Sequence, residues 1–175
     1  ATAYVEILRS TPVLVQIFII YYGVFGMIDL PSFQLFGFIK FNRFFPGVVA
    51  LGMNSGAYLC EIMRAGIQSI DQGQTEAARS LGLNARQTMI HIVLPQAVKN
   101  ILPALCNEFV AIVKETSLAS TFFIGELMTQ FKTINGLTFR VLEPLTIVGI
   151  IYFGVTFIMS KLIALLERRM NASER

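Results

Sequence analysis

The segment TEAARSLGLNARQTMIHIVLP, residues 75–95, decides how the chain can fold, because it is polar and helix-forming while apolar runs lie on both sides of it. Its polar side chains include those of Glu76, Arg79, Asn84, Arg86, Gln87 and His91. Good helix formers lead up to Gly82, which can take the left-handed conformation that closes a helix. The pattern predicts a short helix that ends at Gly82, with Glu76 near its N-terminus, where an anion suits the helix dipole.

A second short helix is predicted directly after that glycine. Asn84 suits an N-cap, and Gln87 three residues later completes the pattern of a capping box. This helix runs on to Pro95, a residue type favoured at the first position of a helix. We therefore predict two short helices within residues 73–93, with Pro95 at the entry to a membrane span.

The composition is typical of a membrane protein. Of the 175 residues, 54% are hydrophobic and 14% are charged, and the mean hydropathy is +0.64. Soluble domains are about 45–50% apolar and about 25% charged. The net charge of +3 is small, and the sequence has no clustered basic face of the kind that binds nucleic acid. The expected fold class is an all-α integral membrane protein.

Four segments are apolar enough to be interpreted as membrane spans, since a bilayer core about 30 Å thick needs roughly 20 mostly apolar residues per helix. They cover about residues 4–25, 46–67, 96–116 and 143–166. We expect residues 117–127 to form a short second helix that breaks the third span near one surface. The whole chain, residues 1–175, is interpreted as one transmembrane domain.

Basic residues in short loops predict the orientation of the spans. If the four spans alternate in direction, one side of the membrane holds Arg9, Arg79, Arg86, Arg168, Arg169 and Arg175, and the other holds Lys40, Arg43, Lys132 and Arg140. The first group is the larger. We therefore predict that residues 73–93 and the C-terminus lie in the cytoplasm.

The first short helix suits docking to another protein. Ala77, Ala78 and Leu81 form a small, shallow apolar patch, with Glu76 and Arg79 at its rim. The alternative is an amphipathic helix that lies on lipid headgroups, but the patch lacks large apolar anchors and a Lys-rich polar side. Docking is the interpretation that these residues favour.

The same segment resembles a known signature. Glu76-Ala77-Ala78, then Gly82, then IVLP at residues 92–95 are similar to the EAA motif of permease subunits of bacterial ABC importers. The flanking segments are similar to the polar amino-acid branch of that family: ILRSTPVLVQIF (residues 7–18), GAYLCEIMRAGIQSI (56–70), LPQAVKNILPAL (94–105) and VKETSL (113–118). Such permeases usually have another span before the RSTP segment, so we expect further residues before Ala1.

The resemblance implies a fold, a role and partners. It implies the helical bundle of a type I ABC importer permease in the bacterial plasma membrane, moving amino acids by alternating access. It implies a partner ATPase that hydrolyses ATP with Mg²⁺, a second permease copy or a sister permease, and an extracytoplasmic substrate-binding protein. The residues implied to couple to the ATPase are Glu76, Ala77, Ala78, Arg79, Gly82, Leu83 and Arg86. The chain has no GxxxxGK[ST] phosphate loop of its own, and we expect no bound cofactor and no enzyme activity.

Polar side chains inside the spans are candidates for a translocation path, because such groups are costly at membrane depth. On the second span, Asn54, Tyr58 and Glu61 share one helix face through their spacing. The full predicted path consists of Asn54, Tyr58, Glu61, Asn107, Glu108, Lys114, Thr116 and Ser117. Carboxylates, amides and hydroxyls suit an amino acid, and Glu61 with Glu108 favours basic amino acids or glutamine as substrates.

Structural roles for the same residues stay open. Glu61 has Arg64 one turn later as an ion-pair partner. Lys114 could extend to the membrane surface, and Asn107 could bridge two helices. Gly52 and Gly56 form a GxxxG pattern that favours close helix packing.

Two other classes of function remain as alternatives. An ion-gradient-driven secondary transporter or channel would predict inverted repeats, and none is visible in the sequence. An intramembrane enzyme would need a nucleophile and a base, or a metal site. Cys60 and Cys106 lie in apolar runs and are interpreted as packed thiols, without metal-ligand spacing. His91 is interpreted as a packing or docking residue, so we predict neither catalytic residues nor a metal site.

Overall fold

The computed structural model describes residues 2–37, 39–122 and 124–172, most of which are helical. In chain order the elements are α1 (Thr2–Ser10), α2 (Val13–Phe18), β1 (Gln34–Leu35), β2 (Ile39–Lys40), α3 (Phe41–Gln68), α4 (Gln72–Ser80), α5 (Ala85–Thr88), α6 (Leu94–Glu115), α7 (Leu127–Thr138) and α8 (Leu142–Ala172). Arg175 and the side chain of Arg169, both part of the predicted basic tail, lie outside the described part.

The first predicted span, residues 4–25, is bent. α1 ends at Ser10, α2 starts at Val13 and continues through π- and 3-10-helical turns to Met27, and the two axes differ by 108°. Pro12 causes the break, because proline lacks a backbone N–H and disfavours helical geometry in the residue before it.

α3 is the central helix of the bundle and contacts α1, α2 and α6. It follows a short antiparallel hairpin, in which Gln34 pairs with Lys40 and Leu35 with Ile39. It packs closely on α6 at Gly66, where an added Cβ would lie 2.2 Å from Ile101 Cγ1. The two glycines of the predicted GxxxG pattern are not in such close contact with α6. Gly52 faces open space, and Gly56 faces the Tyr4 hydroxyl on α1.

Two described helical segments are long and apolar enough to cross a membrane, Ala85–Phe122 and Leu142–Arg168, and the bent pair Thr2–Ser10 with Val13–Met27 is a third candidate. Length and composition thus support three of the four predicted spans. α3 has 28 residues, but polar side chains lower its hydropathy. Asn54 and Ser55 are among these, and both are buried against neighbouring helices.

The end of the bundle opposite α4 and α5 has more helix than the sequence predicts. Residues Thr116–Phe122 form a 3-10 helix that extends α6, and α7 begins only at Leu127. The expected short helix at residues 117–127 is therefore a 3-10 segment that ends at Phe122, and the described residues 124–126 are not helical. α7 was not predicted. Glu126 caps α7, because its carboxylate accepts hydrogen bonds from the Met128 and Thr129 backbone N–H groups at 2.7 and 2.6 Å.

A core at this end joins three parts of the chain. The buried side chains are those of Ile17, Ile20, Ala50, Ala119, Phe122 and Ile124. The Phe122 ring stacks on the Tyr21 ring with centroids 3.9 Å apart. This contact joins the segment after α6 to the bent first span.

Candidate functional site

The polar segment between α3 and α6 folds into two short helices at a glycine turn, as the sequence predicts. Gly82 has φ +88°, a left-handed conformation that glycine adopts without steric cost. The Leu83 N–H bonds the Ala78 carbonyl at 3.2 Å, and the Gly82 N–H bonds the Arg79 carbonyl at 3.0 Å. These two bonds form a Schellman motif, which closes α4 and fixes the direction in which α5 starts.

The start of α5 is fixed by the predicted capping box. The Gln87 N–H donates to Asn84 Oδ1 at 3.0 Å, and the Asn84 N–H donates to Gln87 Oε1 at 3.0 Å. The start of α4 differs from the prediction. α4 begins at Gln72, and its N-cap is Asp71, which accepts from the Gly73 N–H at 2.7 Å. Glu76 therefore lies in the middle of α4, and Asp71 is the anion at its N-terminus.

The outer surface of this turn is open. Leu81 is 83% exposed, and Glu76, Ala77, Arg79 and Arg86 are also exposed. Among the residues that the structure describes, Glu76, Arg79 and Arg86 take part in no ion pair. Charged side chains without partners around an exposed leucine are typical of a surface that binds another protein.

Two of the predicted coupling residues support the turn from inside. Ala78 is buried against its own chain, and Leu83 is half-buried. α4 contacts the π-helical turn Met89–Val93 that follows α5. The predicted apolar docking patch of Ala77, Ala78 and Leu81 is therefore reduced to Ala77 and Leu81, since Ala78 packs inward and positions them.

α5 and α6 form one helical rod. Helical turns run without a break through residues Ala85–Phe122, including the π-helical turn that carries the exposed His91. The helical path is continuous although Pro103 lies inside α6 and removes one backbone N–H from its hydrogen-bond ladder.

Asn54, a predicted path residue, is buried and has a hydrogen-bond partner. It is 2% exposed, and its Nδ2 donates to Gln16 Oε1 at 2.9 Å. Gln16 Nε2 donates in turn to the Leu8 carbonyl at 2.6 Å and to Thr11 Oγ1 at 2.8 Å. The pair thus satisfies a backbone carbonyl left without a helical partner where Pro12 breaks the helix.

Sequence reasoning missed Gln16. The available signal was a single polar residue in the apolar segment VLVQIF directly after Pro12. A buried glutamine requires partners, but the sequence could not identify Asn54 as one of them.

Glu61 pairs with two arginines. Arg64 Nε donates to Glu61 Oε2 at 3.1 Å, and Arg9 Nη1 lies 3.4 Å from the same oxygen. The Arg9 guanidinium also lies over the Tyr58 ring, 5.7 Å from its centroid. Arg9, Glu61 and Arg64 line a cleft of about 350 Å³ between α1 and α3, which Cys60 also lines. The structural role considered for Glu61, an ion pair with Arg64, is confirmed, and Arg9 is a partner that the sequence did not indicate.

The predicted path residues on α6 lie apart from this cluster. Asn107 and Lys114 are exposed, and Glu108 and Thr116 are half-buried. Lys114 and Ser117 line a cleft of about 360 Å³ between α6, α7 and α8, together with Tyr152. The Tyr152 hydroxyl donates to Glu126 Oε2 at 3.2 Å. The cleft of Lys114 and Ser117 and the cleft beside Glu61 are thus formed by different helices.

Both cysteines are free thiols. Cys60 is half-buried beside the cleft between α1 and α3, and Cys106 is half-buried in an apolar groove between α6 and α8. Their surroundings agree with the interpretation that they are packing residues.

Known proteins with similar sequences and folds share one function class. Residues 1–172 match the family described as "Binding-protein-dependent transport system inner membrane component". The arginine transport system permease protein ArtQ of Bacillus subtilis is 38% identical over 99% of this chain and 75% of its own length. The nopaline transport system permease protein NocM of Agrobacterium fabrum is 41% identical over the whole of this chain and 73% of its own length.

A solved structure extends the likeness to the fold. The crystal structure of an amino acid ABC transporter with histidines contains a chain that superposes with a TM-score of 0.85 at 45% identity, over 96% of this chain and 74% of that one. The likeness covers the α4–Gly82–α5 turn and the membrane helices together. The chain therefore belongs to the binding-protein-dependent transport system inner membrane components, as a permease subunit of the amino-acid ABC importer type.

Proposed function

We propose that this permease imports basic amino acids or glutamine, and that a separate ATPase drives it through the turn formed by α4, Gly82 and α5. The observation that carries the proposal is the exposed, charged surface of this turn on a rigidly closed backbone. A permease subunit leaves ATP hydrolysis to its partner, so ATP and Mg²⁺ act at the ATPase and this chain needs no cofactor.

The turn is suited to insertion into a cleft of the ATPase. Leu81 and Ala77 supply the apolar contact, and Glu76, Arg79 and Arg86 surround it with charge. Gly82 and Leu83 hold the turn in shape. Movement of the ATPase on ATP binding would shift the turn and, through the helical rod of α5 and α6, change the packing of α6 against α3 and α8. Access to the path would thus alternate between the two sides of the membrane.

The proposed arrangement has four spans, about residues 4–25, 46–67, 96–116 and 143–166, in the bacterial inner membrane. The basic residues Arg79, Arg86 and Arg168 support a cytoplasmic position for the α4–α5 turn and the C-terminus. The hairpin and α7 would then face the extracytoplasmic side. Burial of the polar residues of α3 among other helices supports its place as the central span.

The proposed substrate class rests on the charge of a side chain on α6 and on the substrates named for similar proteins. ArtQ is described as an arginine permease, and the similar solved structure is that of a transporter with histidines. Arginine and histidine both carry an α-carboxylate and a side chain that can be cationic. Glu108 on α6 is half-buried and belongs to no ion pair in the described part of the chain, so it is the proposed carboxylate that meets a cationic substrate.

The remaining path residues take different parts in this proposal. Asn107, Lys114, Thr116 and Ser117 would offer hydrogen bonds and a cation to the substrate's carboxylate. Tyr58 and Glu61 would lie beside the path, since Arg9 and Arg64 already engage the Glu61 carboxylate. Asn54 would act indirectly, by fixing the bend between α1 and α2 through Gln16.

The proposed assembly contains two permease chains, two ATPase subunits and one substrate-binding protein. The second permease would be either another copy of this chain or a sister chain. The family description supports a binding protein as a partner, since it names a binding-protein-dependent transport system.

Uptake into proteoliposomes tests the proposal. The full-length permease is reconstituted with its ATPase and binding protein, and uptake of radiolabelled arginine, histidine, glutamine and glutamate is measured with and without ATP inside. We expect ATP-dependent uptake of the first three and little uptake of glutamate. Uptake that persists without the ATPase subunit would overturn the coupling mechanism, and equal uptake of glutamate would overturn the substrate class.

Substitution of Glu108 by glutamine isolates the proposed substrate contact. We expect Glu108→Gln to lower uptake of arginine more than uptake of glutamine, because only the cationic substrate loses a charge partner. The matched control is Glu167→Gln, at the far end of α8, which should change neither.

A further inference from the structure

Two phenylalanines have a backbone conformation that their residue type disfavours. Phe36 has φ 51° and Phe139 has φ 56°, and they are the non-glycine residues with positive φ in the described part of the chain. The left-handed region is normally occupied by glycine, asparagine or aspartate, because a Cβ meets the following carbonyl oxygen. Local structure would therefore favour other residue types at both positions, and another interaction must favour the aromatic rings.

Contacts within the chain do not supply that interaction. Phe36 is 85% exposed and Phe139 is 87% exposed, and in the described residues neither ring stacks on another aromatic ring. Other exposed apolar side chains lie close to them in sequence, Phe33 before Phe36 and Leu137 and Leu142 on either side of Phe139. Each ring thus belongs to a short segment of exposed apolar residues.

Both rings lie where a long helix begins. Phe36 is at the turn of the hairpin, and β2 leads directly into α3 at Phe41. The Phe41 N–H donates to the Phe33 carbonyl at 3.0 Å, and the rings of these two residues stack with centroids 4.6 Å apart, which holds the hairpin on α3. Phe139 is the C-cap of α7, three residues before α8 begins at Leu142.

The two rings are at the same end of the bundle. An added Cβ at Gly47, near the start of α3, would lie 2.9 Å from Ile124 Cδ1, just before α7. Leu145, near the start of α8, lines a cleft with Lys114 and Ser117 at the end of α6, which places Phe139 at this end too. The α4–α5 turn lies at the other ends of α3 and α6, so both rings are on the side of the membrane opposite that turn.

Basic side chains accompany both rings. Lys40 is exposed and follows Phe36 by four residues; Arg140 is exposed, follows Phe139 directly and lies with its Nη1 3.6 Å from Glu143 Oε1. An apolar ring followed by an exposed basic side chain suits the boundary between acyl chains and headgroups, where the ring is buried in lipid and the basic group stays at the headgroups.

We infer that Phe36 and Phe139 insert into the lipid surface at this end of the bundle and anchor the starts of α3 and α8 at that depth. Lipid is the occupant that the position favours, because both apolar surfaces continue directly into helices of a membrane permease. Insertion gives the exposed rings a favourable environment that a water-exposed turn would lack. It would also fix the height of α3 and α8 while the opposite end of the bundle moves.

Tryptophan fluorescence tests this inference, because the chain contains no tryptophan. Phe36→Trp and Phe139→Trp are introduced separately into the full-length permease, and each complex is reconstituted with its ATPase in liposomes. The emission of the unsubstituted complex is subtracted. We expect the added emission from both positions to be shifted to shorter wavelength, to be largely lost with acyl-brominated lipids, and to change little with iodide in the buffer. Ile150→Trp, exposed in the middle of α8, is the control for full lipid contact.

Two results would overturn the inference. Strong quenching by iodide at either position would show that the ring lies in water. Protection from both quenchers would show that protein covers it, either a second permease chain or, if protection requires its addition, the substrate-binding protein. If a tryptophan variant fails to assemble, a bimane label is attached at Phe36→Cys or Phe139→Cys and its quenching is measured in the same way. The signal from labelled Cys60 and Cys106 is subtracted. Quenching by iodide, or protection from both quenchers, would overturn the inference here too.

Discussion

The α4–α5 turn and the membrane bundle differ in the sequence separation of the interactions that stabilise each of them. In the turn, each hydrogen bond that fixes the backbone joins residues at most five positions apart, such as Ala78 with Leu83 and Asn84 with Gln87. In the bundle, the polar pair that holds the bent first span joins Gln16 with Asn54, 38 positions apart. A close helix crossing joins Gly66 on α3 with Ile101 on α6, 35 positions apart.

This difference agrees with the two tasks that the proposed function assigns to the molecule. A turn that fits a partner would keep its shape through its own caps and would move as a unit without unfolding. In the proposed mechanism the bundle changes its packing during transport, and its helices meet through contacts between residues far apart in sequence. Substitutions in the bundle should therefore reduce stability, whereas substitutions in the turn should reduce coupling more than stability.

The largest expected loss of stability comes from Gly66→Ala. Its Cβ would lie 2.2 Å from Ile101 Cγ1, so α3 and α6 must separate, at a cost of up to about 3 kcal/mol. The measurement is the temperature at which the purified complex loses its monodisperse peak in gel filtration after heating. Gly52→Ala, on the same helix with open space around it, should leave that temperature unchanged.

The double variant Gly66→Ala with Ile101→Ala checks the reason for the loss. Removing the Ile101 side chain opens the space that the new methyl group needs, so the double variant should be more stable than the sum of the single effects predicts. Additive losses would mean that this crossing is not the cause.

A smaller loss is expected from Gln16→Ala. The substitution removes the partners of the Leu8 carbonyl and of the Asn54 amide in a buried site, at a cost of about 2 kcal/mol. The same heating assay measures it, with the exposed Gln130→Ala as the control. In a double-mutant cycle, Asn54→Ala should add little once Gln16 is absent. Fully additive effects would contradict the pairing of these two side chains.

The smallest effect on stability, with a large effect on coupling, is expected from Gly82→Ala. A Cβ at φ +88° costs about 1 kcal/mol locally, and the strain would distort the turn rather than the bundle. We expect an almost unchanged heating profile and a fall of roughly tenfold in ATP-driven uptake. Gly136→Ala, at an open helical position on α7, is the control. Unchanged uptake by Gly82→Ala would mean that the shape of the turn does not matter for coupling.

The sequence allowed the turn to be predicted almost in full, because caps and glycine turns depend on neighbouring residues. The glycine turn and the Asn84–Gln87 capping box are confirmed. The error at the start of α4 arose because Asp71, two residues before the good helix formers, was not considered as a cap. The inward position of Ala78 could not be predicted either, since it depends on the turn after α5.

The bundle was predictable only in outline. Apolar runs indicated where membrane helices would lie. Pro12 and Glu126 were local signals for the bend and for the start of α7, but the side-chain pair that holds the bend joins residues 38 positions apart. Asn54 illustrates the limit: its spacing with Tyr58 and Glu61 suggested a path, and the structure gives it a buried hydrogen bond to Gln16. The Arg9–Glu61 pair likewise required knowledge of how α1 packs on α3.

Site-directed cross-linking tests the central claim most directly. Leu81→Cys and Leu137→Cys place thiols of similar exposure, 83% and 78% in the native leucines, at opposite ends of the bundle. Both are made with Cys60 and Cys106 replaced by serine, and the assembled complex is treated with a thiol-to-amine cross-linker. The account predicts a permease–ATPase product from Leu81→Cys and none from Leu137→Cys. A product from Leu137→Cys, or none from Leu81→Cys in a complex that hydrolyses ATP, would contradict it.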